Sequence, residues 1–203
     1  MTLMTERPTM SGIEPDGFEA LLDALVAVDE AVAPTGFRAE IVRGSIVLSP
    51  WSKGCYTRIM RMVSEQLTPH LPEGHVIDRT PNLFVFPGDE SAYGPDIWAA
   101  HERVLESDSY HLDGEALSFV AELTSPSTRK DDLIGKVEVY NRAGVPVYLV
   151  LDMQKQQATV YGCPAPAGYR FRASKPFGEK LPIPEPFDCI LDTSGFRPPE
   201  DQA

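Results

Sequence analysis

The stretch from Leu117 to Asp152, LSFVAELTSPSTRKDDLIGKVEVYNRAGVPVYLVLD, limits what this chain can fold into more than any other. Its first segment alternates. Leu117, Phe119, Ala121 and Leu123 point one way, and Ser118, Val120, Glu122 and Thr124 point the other, which is the period of a strand. Ser125-Pro126-Ser127-Thr128 forms a junction, and Thr128 with Asp131 matches a capping-box-like helix start. The spacing predicts a helix through about Arg142, with Leu133, Val137 and Tyr140 on its buried face and Gly144 as its stop. VPVYLVLD is then an apolar run of the length of a buried central strand.

The flanking sequence supplies further elements. Leu21, Leu22, Leu25, Val28 and Val32 recur at helical spacing, so an amphipathic helix precedes Pro34 and Gly36. FRAEIVRGSIVLSP reads as two strands joined at Arg43-Gly44, and Ile59, Met62, Val63 and Leu67 form a helical stripe closed by Pro69. His75–Asp78, Asn82–Phe86, the run after Gly94-Pro95, QQATVYG, GYRFRA and PFDCILD are strand candidates. These readings predict one mixed α/β domain at residues 36–192, an N-terminal helical extension at 1–35 and a flexible tail at 193–203.

Charge and cysteine content exclude several roles. The net charge of -12 supplies no electrostatic footprint for tight nonspecific DNA binding, although a divalent cation in an acidic site would reverse the local sign. Cys55, Cys163 and Cys189 are odd in number and widely spaced, so neither a disulfide framework nor a zinc site is indicated. The N-terminus lacks a secretory pattern, and no apolar run reaches the roughly 20 residues of a membrane span, so a cytoplasmic protein with no membrane partner is expected. No GxSxG, HExxH or GxxxxGKS/T motif occurs.

The informative stretches are PDIWAA and ELTSPSTRKDDLIGKVEVYNRAGVPVYLVLD. They resemble the Uma family, assigned to the restriction endonucleases within the PD-(D/E)xK nuclease superfamily. There a Pro-Asp strand start precedes a Glu-x-x-Ser-Pro-Ser-Thr strand end, and Asp, Lys and Tyr follow the Thr at steps of four. This chain has Thr128, Asp132, Lys136 and Tyr140 at those steps, then Gly144-Val145-Pro146 and Asp152. The resemblance covers roughly residues 36 to 190 and implies a restriction-endonuclease-like fold, a central mixed sheet flanked by helices. Two positions depart from it: Cys55-Tyr56-Thr57 stands where the family often has a His, and Leu149 where it has a Trp.

Phosphodiester hydrolysis needs a divalent metal to neutralise charge and activate water, and Mg²⁺ takes one or two carboxylates plus waters and phosphate. Beside the resemblance, Asp96 and Glu122 are the expected catalytic ligands of Mg²⁺ or Mn²⁺, with the Leu123 backbone carbonyl as a third and Glu40 as a further candidate. The superfamily places its lysine two residues after the second acid, where this chain has Thr124, so Lys136 on the helix is the expected catalytic substitute. Ser125, Arg129, Lys130 and Arg58 are candidates for substrate phosphate, with DNA as the expected substrate of a homodimer. Bland readings remain beside these: Asp132 and Lys136 also form an i,i+4 pair worth about 0.2–0.5 kcal/mol on any helix. A nuclease fold acting as a binding module, or a hydrolase of a small phosphorylated substrate, are the alternatives.

Overall fold

The computed structural model describes residues 15–79, 82–124 and 129–197. In chain order the elements are α1 (Pro15–Val32), β1 (Phe37–Val42), β2 (Ser45–Pro50), α2 (Gly54–Leu67), β3 (His75–Asp78), β4 (Leu83–Phe86), β5 (Ser91–Tyr93), β6 (Ile97–His101), β7 (His111–Asp113) and β8 (Leu117–Leu123). A wide π-helical turn (Asp131–Gly135) then runs into α3 (Lys136–Arg142), followed by β9 (Val147–Asp152), β10 (Gln157–Gly162), β11 (Phe171–Pro176), β12 (Lys180–Ile183) and β13 (Cys189–Asp192).

The six-stranded sheet has the order β11-β10-β9-β8-β6-β3, with β8 and β9 parallel from Phe119↔Val147 to Leu123↔Leu151. Adjacent parallel strands need a crossover, and α3 with its leading turn belongs to that connection. Every residue of β9 is buried, which is why its sequence is an unbroken apolar run. Alternate residues of the central strands feed two cores. Phe119, Ala121, Leu149 and Leu151 meet Ile59, Val63 and Leu67 of α2 on one face, together with Leu181 and Leu191 of the β12–β13 hairpin. Val120, Tyr148 and Val150 meet Val139 and Tyr140 of α3 on the other. Each fully buried aliphatic side chain contributes about 1.5–3 kcal/mol relative to exposure.

A second sheet, five-stranded in the order β2-β1-β5-β4-β7, packs on the α3 side of the first. Phe84, Phe86 and Tyr93 point into the shared core, whereas Ala39, Ile41 and Ala92 lie against Phe18, Leu22 and Leu25 of α1. The β1–β2 hairpin closes through Arg43 and Gly44, whose φ of 49° and 72° are those of the two-residue turn matched to strand twist.

The mixed fold and the N-terminal helix are as expected, and one boundary moves. The N-terminal helical extension packs its apolar stripe on the five-stranded sheet. The tail cannot begin at residue 193: Thr193 is buried and Phe196 belongs to the α2-side core, its ring edge-on to Phe177. The central mixed sheet is joined by a five-stranded sheet and by the β12–β13 hairpin; β5 and β7, only three residues each, show no readable alternation in the sequence. The expected cap at Thr128 lies outside the described residues. Among the described residues no helix is long and apolar enough to cross a membrane.

Candidate active site

Asp96 stands immediately before β6 and Glu122 near the end of its antiparallel neighbour β8, where Ile97 pairs with Ala121. Strand pairing thus brings the two acids to one end of the sheet. Asp96 Oδ2 accepts from the Leu123 amide at 2.8 Å, and Oδ1 from Ser52 Oγ at 2.7 Å. Arg38 Nη2 lies 3.9 Å from that Oδ1. Glu40 enters from β1 of the other sheet, its Oε1 accepting from the Gly94 amide at 2.9 Å and its Oε2 from Ser49 Oγ at 3.0 Å.

Lys136 ties these pieces together. Its Nζ donates to Glu122 Oε1 at 2.9 Å and lies 3.3 Å from Asp132 Oδ1, 3.6 Å from Glu40 Oε1 and 5.0 Å from the Tyr93 ring centroid. Tyr140 Oη also donates to Glu122 Oε1, at 3.2 Å. The helix reaches this position with its inward face set one residue from the expected stripe. Asp132, Lys136, Val139 and Tyr140 are buried, while Leu133 and Val137 are only partly so. The reason is local: through Asp131–Gly135 the helix widens to i→i+5 hydrogen bonding, so a phase counted at 100° per residue does not hold there. Within that turn the Asp132 carbonyl accepts from Tyr148 Oη at 2.8 Å.

The cleft, about 80 Å³, is lined by Glu40, Asp96, Glu122 and Asp132 with Arg38 and Lys136. With Lys53 at its rim, four carboxyl groups therefore face three cations, of which Arg38 and Lys136 lie inside the cluster. Burial opposes charge on Lys136, but Glu122, Glu40 and Asp132 overcome it and raise its pKa well above the usual value. Burial likewise opposes ionisation of Glu40, yet Lys136, Arg38, the Gly94 amide and Ser49 hold its pKa low. Glu122 takes the excess: burial, with Asp132, Asp96 and Glu40 outweighing Lys136, pushes its pKa up to about 8.

A family described as "Putative restriction endonuclease", Uma2, matches residues 22–194. The chain belongs to this family. Its fold is similar to that of a crystal structure titled "a putative nuclease belonging to DUF820 from Anabaena variabilis ATCC 29413", with a TM-score of 0.57 and 16% identity. That match covers 72% of this chain and 82% of the other. No curated protein matches.

For this Uma2 chain, the donor set of the cleft suits a hard cation. Two carboxyl groups on neighbouring strands, in an oxygen-rich pocket without thiols or imidazoles, fit Mg²⁺ or Mn²⁺ better than a thiophilic metal. Among the described residues no three or more His, Cys, Asp or Glu side chains form a metal cage. A Mg²⁺ site of one or two carboxylates completed by water and phosphate needs none.

The structure brings Asp96, Glu122, Glu40, Leu123 and Lys136 to one cleft, Leu123 being joined to it through its amide. Arg129, Lys130 and Arg58 are not brought there. Arg129 chelates Asp152, with Nη2 to Oδ2 at 2.6 Å and Nε to both oxygens, so it anchors the start of the helix to the end of β9. Lys130 and Arg58 are exposed and line no part of the cleft, and Ser125 is outside the described residues. Sequence reasoning missed Arg38, Asp132, Ser52 and Tyr140 as parts of the site. The two-residue period of β1 puts Arg38 on the face of Glu40 and could have found it, whereas nothing in the sequence marks Ser52.

Proposed function

We propose that this Uma2 protein is a divalent-metal-dependent endonuclease that hydrolyses DNA phosphodiester bonds, with Asp96 and Glu122 holding Mg²⁺ or Mn²⁺. The observation that carries the reading is the buried cluster itself. Residues far apart in sequence converge on one small cleft whose carboxylates exceed its cations. Such an excess is costly in a fold that serves structure alone and suits a site that receives a cation. When bound, the metal would supply charge neutralisation at phosphate and acidify a coordinated water.

The remaining work falls to the chain's own side chains. Ser52 and the Leu123 amide fix the Asp96 carboxylate, and Tyr140 and Lys136 fix that of Glu122. Lys136 is held protonated by its three acidic neighbours, so it orients water or offsets charge developing on phosphate and does not act as a base. The Leu123 carbonyl and Glu40 are the further candidate ligands.

The test is cleavage of supercoiled plasmid and of single-stranded DNA with Mg²⁺ or Mn²⁺. Cleavage is expected for the wild type, to be abolished in Asp96→Ala, and to fall at least about 100-fold in Lys136→Ala. Cleavage that survives both substitutions in folded protein sinks the proposal.

A further inference from the structure

Next to the acidic cleft, and sharing Arg38, Glu40 and Trp51 with it, lies a larger cavity of about 330 Å³ between α1 and the five-stranded sheet. Two lining aromatic side chains stand well out in solvent: Trp51 is 42% exposed and Tyr110 86% exposed. Trp51 is nevertheless held by its backbone, its amide donating to the Gly36 carbonyl at 3.0 Å. The Arg38 guanidinium lies 6.0 Å from the Trp51 ring centroid while its Nη2 is 3.9 Å from Asp96, so one side chain joins the aromatic wall to the cleft.

The polar lining discriminates between parts of a nucleotide. Asp29, whose Oδ1 already accepts from the Ala39 amide at 2.8 Å, and Glu30 repel a phosphate, yet Asp29 Oδ2 and the Glu30 carboxylate can accept hydrogen bonds from the ring and exocyclic N–H groups of a base, and Asn82 offers both donor and acceptor. Aromatic planes stack on any base, provided that it is not already stacked and paired within a duplex. The net charge of -12 acts in the same direction, because an unpaired strand carries about half the linear charge density of a duplex.

We infer that this cavity receives a nucleobase of an unpaired strand, stacked on Trp51 and Tyr110 while the adjoining phosphate lies at the acidic cleft. The substrate is then single-stranded or locally opened nucleic acid. The placement of the phosphate rests on the nuclease reading; the base pocket is tested without it.

The chain has two tryptophans, and Trp98 is completely buried, so a change in emission on binding reports Trp51. In metal-free buffer, a short single-stranded DNA of mixed sequence is expected to quench tryptophan emission saturably. It should bind about tenfold more tightly than the same sequence as a blunt duplex. Trp51→Phe should abolish the quench, and Tyr110→Ala should weaken binding about tenfold, with circular dichroism showing both variants folded. An abasic strand of equal length, which keeps the phosphates and lacks the bases, should give no quench. Equal binding of abasic, single-stranded and duplex DNA, or a quench that persists in Trp51→Phe, overturns the inference. Quenching without cleavage in Mg²⁺ leaves the pocket standing and removes the nuclease reading. Cleavage with an unchanged KM in Trp51→Ala and Tyr110→Ala does the reverse.

Discussion

Helices α2 and α3 flank opposite faces of the same six-stranded sheet, and they bury different chemistry. The inward face of α2 is Tyr56, Ile59, Met60, Val63 and Leu67. The inward face of the α3 segment mixes Val139 and Tyr140 with Asp132 and Lys136. The first helix gains stability from each contact it makes with the sheet. The second carries ions into the interior and keeps them there by pairing, at a desolvation cost that a hydrophobic stripe would not incur. One face of the sheet thus buries apolar side chains alone, and the other adds an ionic cluster to its apolar core.

That division can be broken from either side. The largest expected effect comes from Lys136→Met, which leaves Glu122, Glu40 and Asp132 without their shared cation and should cost about 3–5 kcal/mol in urea unfolding. Adding Glu122→Gln to that variant should restore part of the loss. A Lys136→Met protein as stable as the wild type would show that the cluster is not strongly coupled.

Next comes a pH effect in metal-free protein. Glu122 has a folded pKa of about 8 against its ordinary 4.5, so between these values the folded state holds a proton that the unfolded state has released. Its contribution is complete below the unfolded value and is lost as pH rises through the folded one. Wild-type stability, taken relative to Glu122→Gln, should therefore fall across this window by an amount on the order of a few kcal/mol. Glu40, with its depressed pKa, works in the opposite sense, so the difference between the two proteins is the informative quantity. A difference that does not change with pH would place the uncompensated charge elsewhere.

Mg²⁺ at about a hundred times its Kd should raise unfolding free energy by about 2.7 kcal/mol, and this gain should vanish in Asp96→Asn/Glu122→Gln. The smallest effect belongs to α2. Ile59→Val should cost about 1 kcal/mol and leave the Mg²⁺ gain unchanged. An Ile59→Val protein with an altered Mg²⁺ response would mean that the two faces of the sheet are coupled.

The same division decides what could be read in the residues. Periodicity finds α2, β8 and β9 because their neighbours are apolar and regular. It finds the two-residue hairpin because Arg43-Gly44 has the chemistry of that turn. It does not find β5 or β7, whose order comes from pairing with β4 and not from their own three residues. Asp96, Glu122 and Lys136 stood out through resemblance, but spacing could not say that Lys136 is buried, because an i,i+4 acid–base pair looks the same on a solvated helix. The Arg129–Asp152 pair was not legible because Asp152 is distant in sequence, and a basic residue after the junction suggests phosphate contact on its own.

The wide turn at Asp131–Gly135 also bears on how the helix is held. It sits between two anchored points, the Arg129–Asp152 pair before it and Val139 with Tyr140 after it. Ile134 within it is 57% exposed, so losing that one codon would sacrifice little packing. With α3 still seated, an α-turn in place of the wide turn completes about the same rotation with one residue fewer, so the residues before it keep nearly the same phase around the helix axis. The wide turn is thus one extra residue absorbed into the helix, which holds the Arg129–Asp152 anchor on one side of it and Lys136 with Glu122 on the other.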